Sequence, residues 1–542
     1  MHVLGRRPPY GILKLDVHGE IAEEPMGQRL LDMLQPRRDD FFSLVVLLRW
    51  AREDPRLRAV FVRCDDLRLG WARTQELRRS LVALRRAGKA VWVHLAYAGV
   101  REYVLASAAD KITLAPAGMV DVTGLASEVT FVAGTLQKLG IQIDLVQMGK
   151  YKSAAETLTR QDMSEPHREM VESVLHDLYE QVVGLIAEGR HLAVGSVRHL
   201  LDRGPFTAQE AEQAQLVDAL LYDDEAEERL RAQCEQQTVI ERRAYFSRRA
   251  RAARRAVLRQ DHPAIGLLHV TGPIKTGQTV AGPGAAGACG AATVARDLKA
   301  LRERPQIGAV VVRIASPGGS GLASDLIWHE VSKTAQQKPV VVSLGDVAAS
   351  GGYYVAVAGN LVLAEAGTIT GSIGVLAGKA VLKDLYEQIG VTKQLIVRGR
   401  HAALHSDYVP LGAEERQRLQ AEAESFYAGF ISKVSCGRRL ESHAVAAVAE
   451  GRVWTGSQAK NAGLVDQLGG LEEALDQAKV LAGVAANVRI AVERFPRRER
   501  LWKLPWSLNP GSSRLQHLNP WMHMLGSGER LWAILPFHIS FF

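Results

Sequence analysis

The sequence predicts a tandem-duplicated α/β protein, each copy a parallel sheet with crossover helices, and three internal matches carry that reading. Residues 11–19 and 265–272 both read as an apolar strand ending in glycine. Residues 50–63 match residues 300–313, and residues 103–110 match residues 353–360, in each case at an offset of 250. The short stretches 146–149 and 396–399 keep the same register. Strand-like runs alternate with helical patterns in both copies, which implies parallel strands joined by helices.

Taken in order, residues 1–222 form the first repeat and residues 263–493 the second. Between them, residues 223–262 are highly charged and helix-prone, with eight arginines from Arg242 to Arg259, and are expected to form a helical linker. The long breaker-poor patterns at 169–187 and 413–434 predict one terminal helix per repeat. Residues 276–292, rich in Gly and Ala, predict a loop inside the second repeat. Residues 494–542 change character: a basic start, several breakers, and four of the nine tryptophans (Trp502, Trp506, Trp521 and Trp532). Tryptophan favours a membrane–water interface and the arginines favour anionic headgroups, so this tail is expected either to lie on a bilayer or to pack on its own domain or a neighbouring subunit.

Composition bounds the class. At 542 residues the chain exceeds one ordinary core, and 23% charged with 47% apolar residues describes a globular protein. Cys64, Cys234, Cys289 and Cys436 are too widely spaced for a disulfide framework or a zinc site. No apolar run reaches membrane-spanning length, and Arg6 and Arg7 are not followed by an apolar stretch, so neither an anchor nor a secretory signal is read.

The chemistry centres on residues 346–354, where an apolar strand ends and a helix begins. A hydroxyl at such a turn is approachable, and backbone N–H groups just beyond it can receive an anionic oxygen, which is what a nucleophilic serine needs. That places Ser350 as candidate nucleophile and Gly351 as candidate oxyanion donor. Gly318 and Gly319, in a Ser-Pro-Gly-Gly turn after another strand, are candidate donors to the same oxyanion. A serine needs a base. His401 lies in the right neighbourhood, and Lys152 is the other candidate. In register, Ser350 corresponds to Val100 and Lys152 to Ala402. Serine in one copy and lysine in the other is the pattern expected of two halves that build one site.

These residues resemble signal peptide peptidase A, or protease IV, in its long, internally duplicated form. The likeness covers roughly residues 10–490 and rests on four stretches: 316–320, 346–354, 370–375 (Thr-Gly-Ser-Ile-Gly-Val) and 149–154 (Gly-Lys-Tyr-Lys-Ser-Ala). The resemblance implies a Clp-protease/crotonase-like fold, Ser350 as nucleophile and Lys152 as general base. It further implies cleavage of signal peptides left in the membrane, a homotetramer, a bacterial inner-membrane location, and no metal or cofactor. Two features depart from the family. Ala315 stands where Asn is usual, and the customary amino-terminal anchor is not seen. Against the serine–lysine endopeptidase stand a silent membrane-surface scaffold of the same fold, acyl-CoA chemistry on a crotonase-like fold, and nucleic-acid binding by the arginine run. The complementary retention of Ser350 and Lys152 argues against the first. The second does not require that pair. The arginine run has only Tyr245 and Phe246 for stacking and reads as a solvated face, so no nucleic-acid partner is expected.

Overall fold

The computed structural model describes residues 10–24, 40–257, 262–279, 287–485, 488–495, 531–534 and 540–541. In the first unit, strands Lys111–Asp121, Ala90–Gly99, Ala59–Leu67 and Tyr10–Gly19 lie side by side and parallel. The second unit repeats the order with Leu361–Ala364, Val340–Ala349, Ile307–Ser316 and Ala264–Thr271. The fold is therefore a duplicated α/β architecture. Val310, Val311 and Val312 are all fully buried, as expected for a parallel strand covered on both faces.

Helices cross over between these strands where the period changes to three and four. Helix Phe41–Glu53 buries Phe41, Leu44, Val45, Leu48 and Ala51 on one stripe. The Asp40 carboxylate accepts from Ser43 N at 2.9 Å and caps its start. Pro55 and Pro305 follow this helix and its counterpart Ala291–Glu303, and stop both.

Within the stretch expected to be a helical linker, Asp223–Gln233 and Arg242–Val257 are helical, but Thr238–Glu241 is a strand. It pairs parallel with Tyr10–Gly19 and buries Ile240, so the segment closes the edge of the first sheet. Tyr245 is fully buried and donates to the Trp50 carbonyl at 3.1 Å. Among the described residues no helix is long and apolar enough to cross a membrane.

Two features lock the units together. Strand Gln142–Met148 of the first unit pairs antiparallel with Val375–Val381 of the second, from Met148 opposite Val375 to Gln142 opposite Val381. An ionic joint, buried at Arg313 and Glu23 and part-exposed at Arg79 and Glu473, lies elsewhere between them. Arg313 of the second unit is held by Glu23 at 3.1 and 3.2 Å. Arg79 of the first unit binds Glu365 at 2.8 Å and Glu473 at 2.7 Å. Asp346 accepts from the backbone N–H of Gly70 and Arg73 and from the Arg73 guanidinium. Buried charges of this kind cost desolvation, and their pairing restores it only when both partners are present. The two units therefore depend on each other.

Candidate active site

Ser350 sits between strand Val340–Ala349 and helix Gly351–Ala356, with φ +55° and ψ −113°. A non-glycine residue in this region costs about 1–3 kcal/mol and persists only where its surroundings hold it. Here the Ser350 N–H donates to the Gly371 carbonyl and the Ser350 carbonyl accepts from Tyr354 N, both at 2.8 Å. A Cβ at Gly352 would lie 2.8 Å from the Ser316 carbonyl, so glycine there lets the helix start press against the Ser-Pro-Gly-Gly turn.

Lys152 arrives from the other unit. Four residues after the bridging strand Gln142–Met148, it follows a turn with Gly149 at φ +99°. The turn is pressed onto the second unit. A Cβ at Gly149 would lie 2.4 Å from the Glu450 carbonyl carbon, and one at Gly451 would lie 2.6 Å from Lys152 Cα. Tyr151 N donates to the Glu450 carbonyl at 2.8 Å.

The lysine and serine meet at the seam. Lys152 Nζ is 2.7 Å from Ser350 Oγ, 2.9 Å from Ser372 Oγ and 3.0 Å from the Ser372 carbonyl. Lys152, Ser350 and Ser372 are all 0% exposed. Burial lowers the lysine well below its ordinary range, because removing an ammonium from water penalises its charged form. Its three partners are uncharged oxygens. A neutral amine has two N–H donors and one lone pair, which matches two acceptors on Ser372 and the hydroxyl of Ser350.

Ser372 is the residue that sequence reasoning did not single out. It stands inside the Thr-Gly-Ser-Ile-Gly-Val stretch, and its φ of +53° marks a second unusual backbone position beside the first. His401 lies with Nε2 3.9 Å from Glu414 Oε2; the amine that meets the Ser350 hydroxyl is Lys152.

The glycines expected to serve an oxyanion flank the same turn. Gly318 has φ +102° and its N–H donates to Ser316 Oγ at 3.1 Å. Gly319 has φ +154°, and a Cβ there would lie 2.0 Å from the Ile274 carbonyl oxygen. Both positions thus require glycine. Gly351 is the first residue of the helix after Ser350.

A groove runs past these residues between strands Gly318–Ser320 and Val375–Val381, and a strand of the chain's own carboxy-terminal region lies in it. Leu531–Ile534 pairs antiparallel with both walls: Trp532 opposite Ser320 and Leu376, Ala533 opposite Gly319, and Ile534 opposite Gly318. Trp532, 6% exposed, packs with Ala154, Ala155, Leu158 and Leu376. Of the two fates expected for the tail, Trp532 has the one inside the chain; Trp502, Trp506 and Trp521 lie outside the described residues. The physical reason is the unfilled backbone hydrogen-bonding capacity of two facing strands, which an extended segment satisfies.

Residues 83–237 and 332–485 each match the model of Peptidase family S49. The serine protease SPPA, chloroplastic, of Arabidopsis thaliana is 32% identical over 498 residues, covering 88% of this chain and 72% of that protein. Protease 4 of Salmonella typhi is 30% identical over 504 residues, covering 87% and 78%. Protease 4 of Haemophilus influenzae is 29% identical over 466 residues, covering 82% and 74%. Among solved structures, ClpP1 from Listeria monocytogenes matches 39% of this chain and 94% of its own at 14% identity and a TM-score of 0.24.

Proposed function

The chain belongs to peptidase family S49, and we propose that it is a serine endopeptidase working through a Ser350–Lys152 dyad. The observation that carries this reading is the 2.7 Å contact between a buried lysine amine and the serine hydroxyl. A lysine acts as general base only when neutral, and desolvation favours that state.

In the proposed reaction the Lys152 lone pair takes the Ser350 proton as Oγ attacks the scissile carbonyl carbon. The tetrahedral oxyanion is received by the N–H of Gly351 together with that of Gly318 or Gly319. Gly318 N–H would leave Ser316 Oγ to do so. The Lys152 ammonium then protonates the leaving amine, the C–N bond breaks, and an acyl-enzyme ester remains on Ser350. A water molecule, deprotonated by the same amine, attacks that ester and releases the new carboxyl terminus and the serine. Ser372 offers two oxygens to the amine in both charge states and keeps it aimed at Ser350.

The substrates proposed are extended peptides, foremost signal peptides remaining in a membrane after secretion. The strand lying between Gly318–Ser320 and Val375–Val381 supports this, because it is how a peptide would add to both walls. The proposal extends to a homotetramer at a bacterial inner membrane. Any contact of the tail with the bilayer would rest on residues 496–530, and co-sedimentation with anionic vesicles before and after their removal tests it.

The central experiment is cleavage of a synthetic signal peptide by the wild type, Ser350→Ala and Lys152→Ala chains, with fluorophosphonate labelling of Ser350 alongside. Cleavage by the wild type alone supports the proposal. Undiminished cleavage by either variant overturns the dyad.

A further inference from the structure

We propose that Arg452 is a positioning residue, whose side chain holds Lys152 in line with Ser350 by tying together the two backbone segments that carry them. This role presupposes the Ser350–Lys152 dyad proposed for the reaction.

The two groups come from different repeats, and a misplacement of about 1 Å at a reacting centre can cost roughly 10²-fold in rate. At the seam stands the turn Glu450–Arg452, in which Glu450 and Gly451 have φ +56° and +78°. On one side the Glu450 carbonyl accepts from the N–H of Tyr151, the neighbour of Lys152, at 2.8 Å. On the other, Gly451 N donates to the Ile373 carbonyl at 2.6 Å, and the Arg452 carbonyl accepts from Ser372 N at 2.7 Å. Ser372 supplies two of the three oxygens that meet the Lys152 amine. One short turn therefore grips both the backbone beside the base and the residue that aims it.

The Arg452 side chain closes the same circuit. Its guanidinium carbon lies 4.9 Å from the centre of the Tyr151 ring and 4.8 Å from that of Trp454, within cation–π range of both. Its Nη1 donates to Glu169 Oε1 at 2.7 Å, and Glu169 Oε2 accepts from the Tyr151 hydroxyl at 2.9 Å. Arg452, Glu169 and Tyr151 thus form a closed ring of three contacts across the two units. The ion pair is half in solvent at Glu169 and adds little to stability. Its consequence is geometric, because it fixes the planar guanidinium over the two rings. Trp454 in turn lies against Gly371, where a Cβ would stand 2.7 Å from Trp454 Cδ1. The Gly371 carbonyl holds the Ser350 N–H. From base to nucleophile the path runs Tyr151, Arg452, Trp454, Gly371, each in contact with the next.

The duplication adds an independent observation. Helices Glu165–Arg190 and Ala413–Arg438 both run 26 residues and begin 248 positions apart, and the same offset relates the helix caps Thr207 and Thr455. At that offset Glu169 corresponds to Gln417 and Arg452 to Gly204. Tyr151, at the 250-residue offset of the preceding segment, corresponds to His401. Arginine, glutamate and tyrosine stand together only at the seam that also holds Lys152 and Ser350. A general packing device of the fold would be expected in both copies.

The test follows cleavage of one fluorogenic peptide by the full chain and by Arg452→Met, Arg452→Lys, Glu169→Gln and Lys152→Ala, from about pH 6 to pH 10. Rates are divided by the folded fraction read from circular dichroism. Arg452→Met keeps an unbranched stem against the rings and removes the charge and the hydrogen bond. Its kcat should fall roughly 10- to 100-fold with KM little changed. The rising limb of kcat should also move up by about one pH unit, because a base no longer held against Ser350 admits water and returns toward the ordinary lysine range. Arg452→Lys, which keeps the cation without the fork, should recover part of the rate. Glu169→Gln should show the same pattern more weakly. Loss of stability alone would remove active molecules at every pH and leave the limb in place. An Arg452→Met chain with wild-type kcat, or with an unmoved limb, overturns the positioning role while Lys152→Ala remains inactive. If Arg452→Met does not fold, an unmoved limb in Glu169→Gln overturns it equally. Wild-type cleavage by Lys152→Ala would instead remove the dyad, and with it anything for Arg452 to position.

Discussion

Lys152 Nζ lies 2.7 Å from Ser350 Oγ, although the two residues are 198 positions apart and belong to different repeats. Neither repeat holds both residues, so the two meet only where the bridging strand Gln142–Met148 joins Val375–Val381. Gene duplication followed by complementary loss is the simplest route to such a site.

Ser350→Ala and Lys152→Ala should each lower kcat/KM for peptide cleavage by roughly 10³-fold or more, with the double variant no worse than either. Residues that act as one unit lose their effect together. A peptide-cleavage assay on the three purified variants measures it, and additive losses would separate the lysine from the serine.

The lowered Lys152 makes a linked statement about pH and stability. Between the lowered folded pKa and the ordinary lysine range of about 10.4, the unfolded chain holds a proton that the folded chain does not. This group therefore makes folding less favourable as pH falls. Lys152→Met removes the penalty while keeping the volume. It should raise Tm, most near pH 6 and progressively less toward pH 10, as differential scanning calorimetry would show. Wild-type kcat/KM should rise with pH along a limb set by the same group. A Tm difference that does not change with pH would count against a neutral buried lysine.

Ser372→Ala tests positioning. Its Oγ is one of three partners of the amine, and the Ser372 carbonyl remains after substitution. The expected result is a fall in kcat of roughly 10- to 100-fold with KM little changed, the split for a group that aims a base without touching the peptide. A change confined to KM would assign Ser372 to substrate binding.

Much of this was readable from residue order, for physical reasons. Repeated strand–helix alternation predicts a parallel sheet without any contact being known, and a serine between a strand and a helix is a local pattern. Ser350 stood out by that pattern, whereas Lys152 was one candidate base beside His401 and was singled out by the family resemblance. Other features depend on distant partners. Thr238–Glu241 looks like part of a charged linker, because only pairing with Tyr10–Gly19 makes it a strand. Arg313 sits in a valine-rich strand, and its buried role is set by Glu23, 290 residues away. Ser372 has no chemistry by type or position until the lysine is beside it. Trp532 reads from sequence as equally suited to a bilayer or to its own chain, because aromatic content does not reveal which surface will cover it.

The groove strand yields the last prediction. Leu531–Ile534 takes up the backbone edges of both Gly318–Ser320 and Val375–Val381, the same edges an extended peptide would use. Trp532 fills the apolar recess of Ala154, Ala155, Leu158 and Leu376 beside Lys152. A short substrate must displace this strand, and its apparent affinity falls by the fraction of molecules in which the groove is open. Removing residues 496–542 should therefore raise kcat/KM for a soluble peptide several-fold, chiefly through a lower KM. Trp532→Ala, which keeps the strand but empties the recess, should act in the same direction and less strongly. A synthetic peptide of residues 529–536 added to the truncated enzyme should inhibit competitively. Steady-state kinetics with one fluorogenic peptide across the three proteins decides it. If truncation instead lowers kcat and Tm together, the strand is part of the wall that shapes the site and does not compete with substrate for it.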